Sequence, residues 1–508
     1  MSDEYNRTSG GYEAREGHQG FAYSISYADK AEESEQALAF PADDTPHEND
    51  LLPDEEYSTE IVYADRPGAA EYDIAVIGGG PVGQCAAISA SKLGAKVIMF
   101  EREALGGKWL NCGCIPSKVY PHCGNDDADL QRSVELKKSI VSKITSDFTH
   151  KLRSCRIRVE AGEASLRGPH EIFCNGRLYN VSKVILCGGC RPDPLLVPGA
   201  AHDGVCDTKG LFRMQDVPPR LMIMGGDSEG CEIALAYASY GSNVMIVEPG
   251  EKLLPGWDAQ VAGCVTDALT DAGVKIHTGI TVNEIQDREG KPFVITNRGG
   301  VLCDKLLVFA EKKSDTSSLG NMAEQIEVDR NIITVNEYLE TTVPGIYAAG
   351  SITGIGNSTQ AGFRMAQTAA ANAMGKKAVF NQDAAPVAIL TVPEAASVGL
   401  TEEEALEKYG SELVIGTAQL SSNVRAMLSG NAEGFVKVLA GRRYGEIYGV
   451  HIVAAEAAEM ISEPSAMMRM EITIHEAAND IFHVHPTYSE AFAEACADAV
   501  SKISDRRV

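Results

Sequence analysis

From Tyr72 onward, Asp73 to Ile77 form a short apolar run typical of a buried strand. A glycine-rich turn follows, then apolar positions at helical spacing from about Pro81 to Leu93, then a second strand run from Lys96 to Glu101. Strand, turn, helix and strand in that order predict a βαβ unit. The same order returns at Leu221 to Met224, Gly225 to Gly230, a helix to about Tyr240, and Asn243 to Glu248. The chain therefore carries two doubly wound nucleotide-binding units. From about Gln382 the pattern becomes mixed α/β, with strand runs near Val387 to Leu390, Gly434 to Leu439 and Tyr448 to Val453. This predicts a third, separate α+β domain.

A length of 508 residues agrees with about three domains rather than one core. Hydrophobic residues make up 44%, and no apolar run approaches the ~20 residues of a membrane helix, so a soluble protein without a membrane partner is expected. No basic and apolar export signal opens the chain, which makes the cytoplasm the expected location. The net charge of −26 is uneven: residues 1–70 hold 17 acids and 4 bases, or half of the surplus. That stretch is read as a disordered acidic tail, and its charge argues against nucleic acid as a partner. One piece of it, Ala28-Asp29-Lys30-Ala31, looks like the lysine turn of a lipoyl domain, but the surrounding β-sandwich sequence is missing. Thirteen cysteines in such a chain suggest thiols, redox centres or metal ligands rather than a disulphide framework.

The first glycine loop, Gly78-Gly79-Gly80-Pro81-Val82-Gly83, matches GxGxxG between a strand and a helix. Gly78 suits the tight turn, Gly80 lets backbone approach a pyrophosphate, and Gly83 lets helix and strand pack closely. Glu101, closing the next strand, can accept hydrogen bonds from an adenosine ribose. These features point to a dinucleotide here.

The segment Gly106-Gly107-Lys108-Trp109-Leu110-Asn111-Cys112-Gly113-Cys114-Ile115-Pro116-Ser117-Lys118 resembles the redox-active helix start of the dihydrolipoamide dehydrogenase, glutathione reductase and mercuric reductase family. Thr342 to Gly350 (TVPGIYAAG) resembles the family's second FAD segment, and Thr391 to Ala405 its dimerisation domain. His485-Pro486-Thr487-Tyr488-Ser489-Glu490 resembles its catalytic histidine–glutamate pair. The resemblance covers about residues 72 to 500. It implies FAD bound by Gly78, Gly80, Gly83, Glu101, Ser117, Lys118, Ala164, Gly350 and Ser351. It implies NAD(H) at Gly225, Gly230, Glu232 and Glu248, and a catalytic set of Cys114, His485, Glu490 and Lys118. In the family the histidine acts on the partner subunit's thiols, so a homodimer acting on a small thiol or protein thiol is implied. The corresponding domains are 71–192 with 312–381 for FAD, 193–311 of NAD type, and 382–508 for dimerisation. Taken from the residues alone, His485 titrates in a range suited to taking a thiol proton, and Glu490 could orient it. His475 and His483 are read as ordinary structural histidines without such a partner. The C-terminus, Ser501 to Val508, has no vicinal cysteine pair of the mercuric reductase kind.

The chain departs from the family pattern at several points. Trp109 stands where the first redox cysteine belongs, so the usual disulphide cannot form. Cys114 remains, at a helix start where the dipole and Lys118 are expected to favour thiolate. Cys112 is a candidate redox partner, although a bridge across Gly113 would be strained, and a space-filling role is the preferred reading. In the second loop the glycine that should touch pyrophosphate is Asp227. A like-charge contact near 4 Å costs roughly 1 to 4 kcal/mol, or about tenfold to a thousandfold in affinity. Ser351 replaces an aspartate near the flavin ribitol, and Glu311-Lys312-Lys313-Ser314-Asp315 replaces GRRPN. Cys187-Gly188-Gly189-Cys190 replaces ATGS and is read as small residues for small residues rather than as a metal or redox site. Three functions stay open: an NAD-linked dihydrolipoamide dehydrogenase-like enzyme, a flavoprotein working through Cys114 alone, and a silent FAD-binding dimer.

Overall fold

A computed structural model of the chain describes residues 70–120, 127–192, 195–309, 312–355 and 358–504. The acidic segment and its Ala28 to Ala31 piece lie outside the described residues, as does Glu311.

The first βαβ unit forms as the apolar pattern predicts, with strand Tyr72–Ile77, helix Pro81–Lys92 and strand Val97–Glu101. Every residue of the second strand is buried, which fits a parallel sheet covered on both faces. The sheet runs in the order Arg158–Ala161, Val97–Glu101, Tyr72–Ile77, Arg177–Leu186, Glu171–Cys174, Ser165–Gly168, and Ile346–Ala348 joins Arg177–Leu186 in parallel. The late return of Ile346–Ala348 brings the Gly350 segment beside the first glycine loop: a Cβ on Gly350 would lie 3.1 Å from Val82.

The second unit builds a five-stranded parallel sheet, Lys275–Thr278, Asn243–Glu248, Arg220–Met224, Lys305–Val308 and Val205–Cys206. A three-stranded antiparallel sheet, Val282–Arg288, Lys291–Thr296 and Gly299–Leu302, is inserted before its Lys305–Val308 strand. From Val387 the chain forms a five-stranded antiparallel sheet ordered Val387–Ile389, Glu394–Gly399, Ile447–Ala454, Phe435–Gly441, Leu413–Gln419. The helix Glu490–Ser504 packs on it through Ala491, Phe492, Ala495, Cys496 and Ala499.

Two contacts hold these sheets in place around the site. Tyr120, at the end of the helix Cys114–Val119, packs against Phe212, Tyr237 and Tyr240 with ring centroids 4.9 to 6.3 Å apart. Its carbonyl also accepts the Tyr240 hydroxyl at 2.5 Å. Lys437, only 2% exposed in the antiparallel sheet, donates to Asp258 at 2.6 Å and to Glu402 at 2.9 Å. Asp258 also caps the helix Ala259–Asp271 by accepting from Gln260 N. A buried lysine persists only when its charge is met, and here the partner comes from the second nucleotide-binding unit. Among the described residues no helix is long and apolar enough to cross a membrane.

Candidate active site

The first glycine loop has the geometry of a phosphate cradle. A Cβ on Gly83 would lie 1.8 Å from the Gly78 carbonyl, so the helix packs onto the loop only because no side chain intervenes. A Cβ on Gly80 would meet nothing within 4 Å, and Gly80 caps the helix without any side-chain bond. Gly80 is thus not demanded by the protein's own packing; it leaves room and free N–H groups at a helix N-terminus, which suits a pyrophosphate. Glu101 accepts from Gly79 N at 2.6 Å and Glu103 N at 2.8 Å, holding the loop at the edge where a ribose would lie. The residues therefore fit FAD. Ala164 is buried in the same core as Phe100 and Leu166. Ser351 is exposed, and its carbonyl accepts the Cys190 thiol at 2.9 Å.

The redox segment forms two short helices, Gly107–Asn111 and Cys114–Val119. Trp109 packs on Phe148 of the helix Asp127–Ser154 with ring centroids 6.3 Å apart. Cys112 and Cys114 are both free thiols. The expectation that Cys114 favours thiolate is overturned. The residue is exposed, yet the crowding of protein around its thiol raises it above its ordinary value. Lys118 and a hydrogen bond from Thr359 pull the other way, but Glu229 and Glu232 oppose them. Burial is the larger cause, and Lys118 offsets it only in part, its ammonium also donating to Glu232 Oε2 at 2.5 Å. The six-residue helix behind Cys114 adds too short a dipole to offset burial. Cys112 is raised as well, first by burial.

Glu232, 1% exposed, joins three parts of the chain. One oxygen meets Lys118 and the other accepts from Leu390 N at 2.9 Å, at the start of the antiparallel sheet. Ser117 is buried, its hydroxyl donating to the Cys114 carbonyl at 3.2 Å. Sequence reasoning missed Glu229, Thr359, Leu390 and the Asp258–Lys437 pair. Only Lys437 left a trace, as one charge inside the strand run Phe435–Gly441.

His485 and Glu490 come together: Nδ1 lies 2.8 Å from Glu490 Oε1, and Oε2 accepts from Thr487 N at 2.8 Å. The Thr487 N–H and then His485 hold the Glu490 carboxyl below its usual range. The His485 side chain is 67% exposed, so its Nε2 edge is open to a second molecule. Within one chain, among the described residues, the ring pairs with Glu490 and not with Cys114. The reading of His483 as partnerless is corrected, since its Nε2 lies 2.7 Å from Glu463 Oε1. Cys187 lies in the apolar core and burial pushes its thiol up strongly, while Cys190 points to Ser351.

A glycine cradle, a thiol at a helix start and a histidine–glutamate pair on a separate antiparallel domain define a two-nucleotide-domain flavoprotein of the disulphide reductase class. Residues 72–375 match the model of the pyridine nucleotide-disulphide oxidoreductase family, and residues 385–496 match that family's dimerisation domain. A dihydrolipoyl dehydrogenase of Thermus scotoductus is 33% identical over 454 residues, covering 85% of this chain and 98% of its own. One from Bacillus subtilis is 32% identical over 469 residues, covering 87% and 98%. The HOCl-induced flavoprotein disulphide reductase RclA of Escherichia coli superposes with a TM-score of 0.76 at 26% identity, over 85% of this chain and 99% of its own. The chain belongs to the pyridine nucleotide-disulphide oxidoreductase family. Members of this family use FAD and NAD(H), and by this kinship the chain is a FAD-dependent disulphide oxidoreductase similar to dihydrolipoyl dehydrogenases. The matched dimerisation domain supports a homodimer.

Proposed function

We propose that the chain carries out thiol–disulphide exchange through the single thiol Cys114, assisted by His485 of the partner subunit. The observation that supports this reading is the His485–Glu490 pair, with one carboxylate oxygen on the ring and the other fixed by backbone. Glu490 stays ionised well below neutrality, so it holds the proton on Nδ1 and leaves Nε2 to act as base.

His485 of the partner subunit takes the Cys114 proton. The resulting thiolate attacks one sulphur of a disulphide, the substrate S–S bond breaks as the Cys114–substrate bond forms, and the departing thiolate takes the proton back from the imidazolium. FAD, when bound, accepts or returns the two electrons that separate thiols from disulphide. Gly78, Gly80, Gly83, Glu101, Ser117, Lys118, Ala164, Gly350 and Ser351 are the residues we assign to it. We divide the chain into 71–192 with 312–381 for FAD, 193–311 for the second nucleotide unit, and 382–508 for dimerisation. A reducing compartment such as the cytoplasm suits this chemistry, since every described cysteine is free. The substrate class is a small thiol or disulphide, or an exposed protein thiol.

Treating the FAD-loaded protein with glutathione disulphide and mapping adducts by mass spectrometry tests this. The adduct is expected on Cys114, retained in Cys112→Ser and slowed about 10²- to 10⁴-fold in His485→Gln. No adduct on Cys114 would sink the proposal and leave a catalytically silent FAD-binding dimer, the reading that Trp109 also favours.

A further inference from the structure

The two glycine loops share a backbone and differ in their three middle side chains, Gly80-Pro81-Val82 against Asp227-Ser228-Glu229, of which Asp227 stands at the helix cap. Gly78 N donates to Phe100 O and Gly225 N to Val247 O, each at 2.9 Å. Glu101 accepts from Gly79 N at 2.6 Å and from Glu103 N, two positions on; Glu248 accepts from Gly226 N at 2.7 Å and from Gly250 N, also two positions on. Gly83 and Gly230 both sit where a Cβ would strike the first glycine's carbonyl, at 1.8 and 2.3 Å. Even the helix caps share a backbone: Gly80 has φ −66°, ψ 177°, and Asp227 has φ −75°, ψ 179°.

At this shared backbone the first loop leaves space and the second fills it. The Asp227 carboxylate accepts from Gly230 N at 2.8 Å, capping the helix Ser228–Ser239. That N–H, at the positive end of a twelve-residue helix, is of the kind an incoming phosphate oxygen accepts from. An anionic oxygen of the chain itself already stands there. A nucleotide pyrophosphate must displace this cap or approach a like charge, and either lowers affinity.

We infer that Asp227 is a specificity-determining residue that closes the second nucleotide unit to pyrophosphate-bearing ligands, NADH included. Glu232, further along the same helix, keeps its own partners, Lys118 and Leu390 N, and takes no part in the cap. The barrier acts on the phosphate linkage and not on the hydride-donating ring. A phosphate-free dihydronicotinamide meets no such barrier.

The FAD-loaded wild type, Asp227→Gly and Asp227→Asn are compared. Glycine adopts the extended backbone at this position freely and forfeits only the cap; asparagine keeps the cap and removes the charge. Titration with ADP-ribose, followed by calorimetry, should show binding at least tenfold tighter in Asp227→Gly than in wild type, with Asp227→Asn in between. Flavin bleaching by NADH should accelerate in the same order. Bleaching by 1-benzyl-1,4-dihydronicotinamide should change less than twofold. A gain below tenfold in Asp227→Gly overturns the inference. Equal affinities of Asp227→Asn and wild type overturn its charge component, and a parallel gain for the phosphate-free donor overturns its assignment to the pyrophosphate.

Discussion

Lys118 and Glu232 meet at 2.5 Å although 114 residues separate them, and that pair tempers the pull of Lys118 on a Cys114 thiol that burial has already raised. A lysine four positions after a cysteine, read along one helix, is a cation that favours thiolate. Paired with a carboxylate that is 1% exposed, it still favours the thiolate but does not offset burial. Glu232→Gln should therefore strengthen that pull and lower the Cys114 thiol. Alkylation of Cys114 at pH 8 should become several-fold faster, while a loss of about 1–3 kcal/mol in unfolding free energy reports the weakened buried bond. An unchanged alkylation rate would show that the pair does not act on the thiol.

The wild-type thiol itself should be sluggish. Because burial raises Cys114 above its ordinary value of 9.0, iodoacetamide labelling should climb steeply only on the alkaline side of pH 9. Half-maximal labelling of Cys114 near pH 7 would contradict this.

Trp109 occupies the place of the family's exchanging thiol and leans on Phe148. Turnover of free dihydrolipoamide by the wild type is expected to be very low. Trp109→Cys loses an aromatic contact worth about 1 kcal/mol and restores the second thiol. Activity with NAD⁺ as acceptor should rise at least tenfold in the double variant with Asp227→Gly, and much less in either single variant. Strong wild-type turnover would remove the single-thiol proposal.

The buried Asp258–Lys437–His451 group should make stability depend on pH. Burial opposes ionisation of Asp258, but the Lys437 hydrogen bond and nearby charges hold its carboxyl below the usual range. His451 is depressed, first by burial, with its ring bonded to Ser397 and Leu400. Both groups bind protons more readily when unfolded, so their stabilisation is present at neutral pH and falls on acidification. The loss should begin below about pH 6.5 with His451 and deepen below about pH 4 with Asp258. His451→Gln should flatten the first part of that curve in calorimetric melts. Lys437→Met, which strands Asp258 in the interior, should cost about 3–5 kcal/mol.

The chain order alone determined the two strand–helix–strand units with their glycine loops and three strands of the last domain, because a strand's alternation and a helix's turn are set by neighbours a few residues apart. The inserted sheet Val282–Arg288, Lys291–Thr296 and Gly299–Leu302 was seen only in the fold. The chain order also paired His485 with Glu490, which lie five positions apart on one turn and helix start. It placed Asp227 at the loop position where a glycine would touch pyrophosphate, since that assignment needs only the loop's spacing, whereas the cap it makes on Gly230 N is seen only in the fold. What the tertiary structure decided are the facts that depend on distant partners. Glu232 could not be seen to reach Lys118, nor Lys437 to reach Asp258 across 179 residues. His483 looked idle until the fold brought Glu463 to it. The thiol of Cys114 was misread for the same reason: a local dipole and a nearby lysine are visible in sequence, whereas desolvation and the neutralising carboxylate belong to whatever the folded chain packs around them.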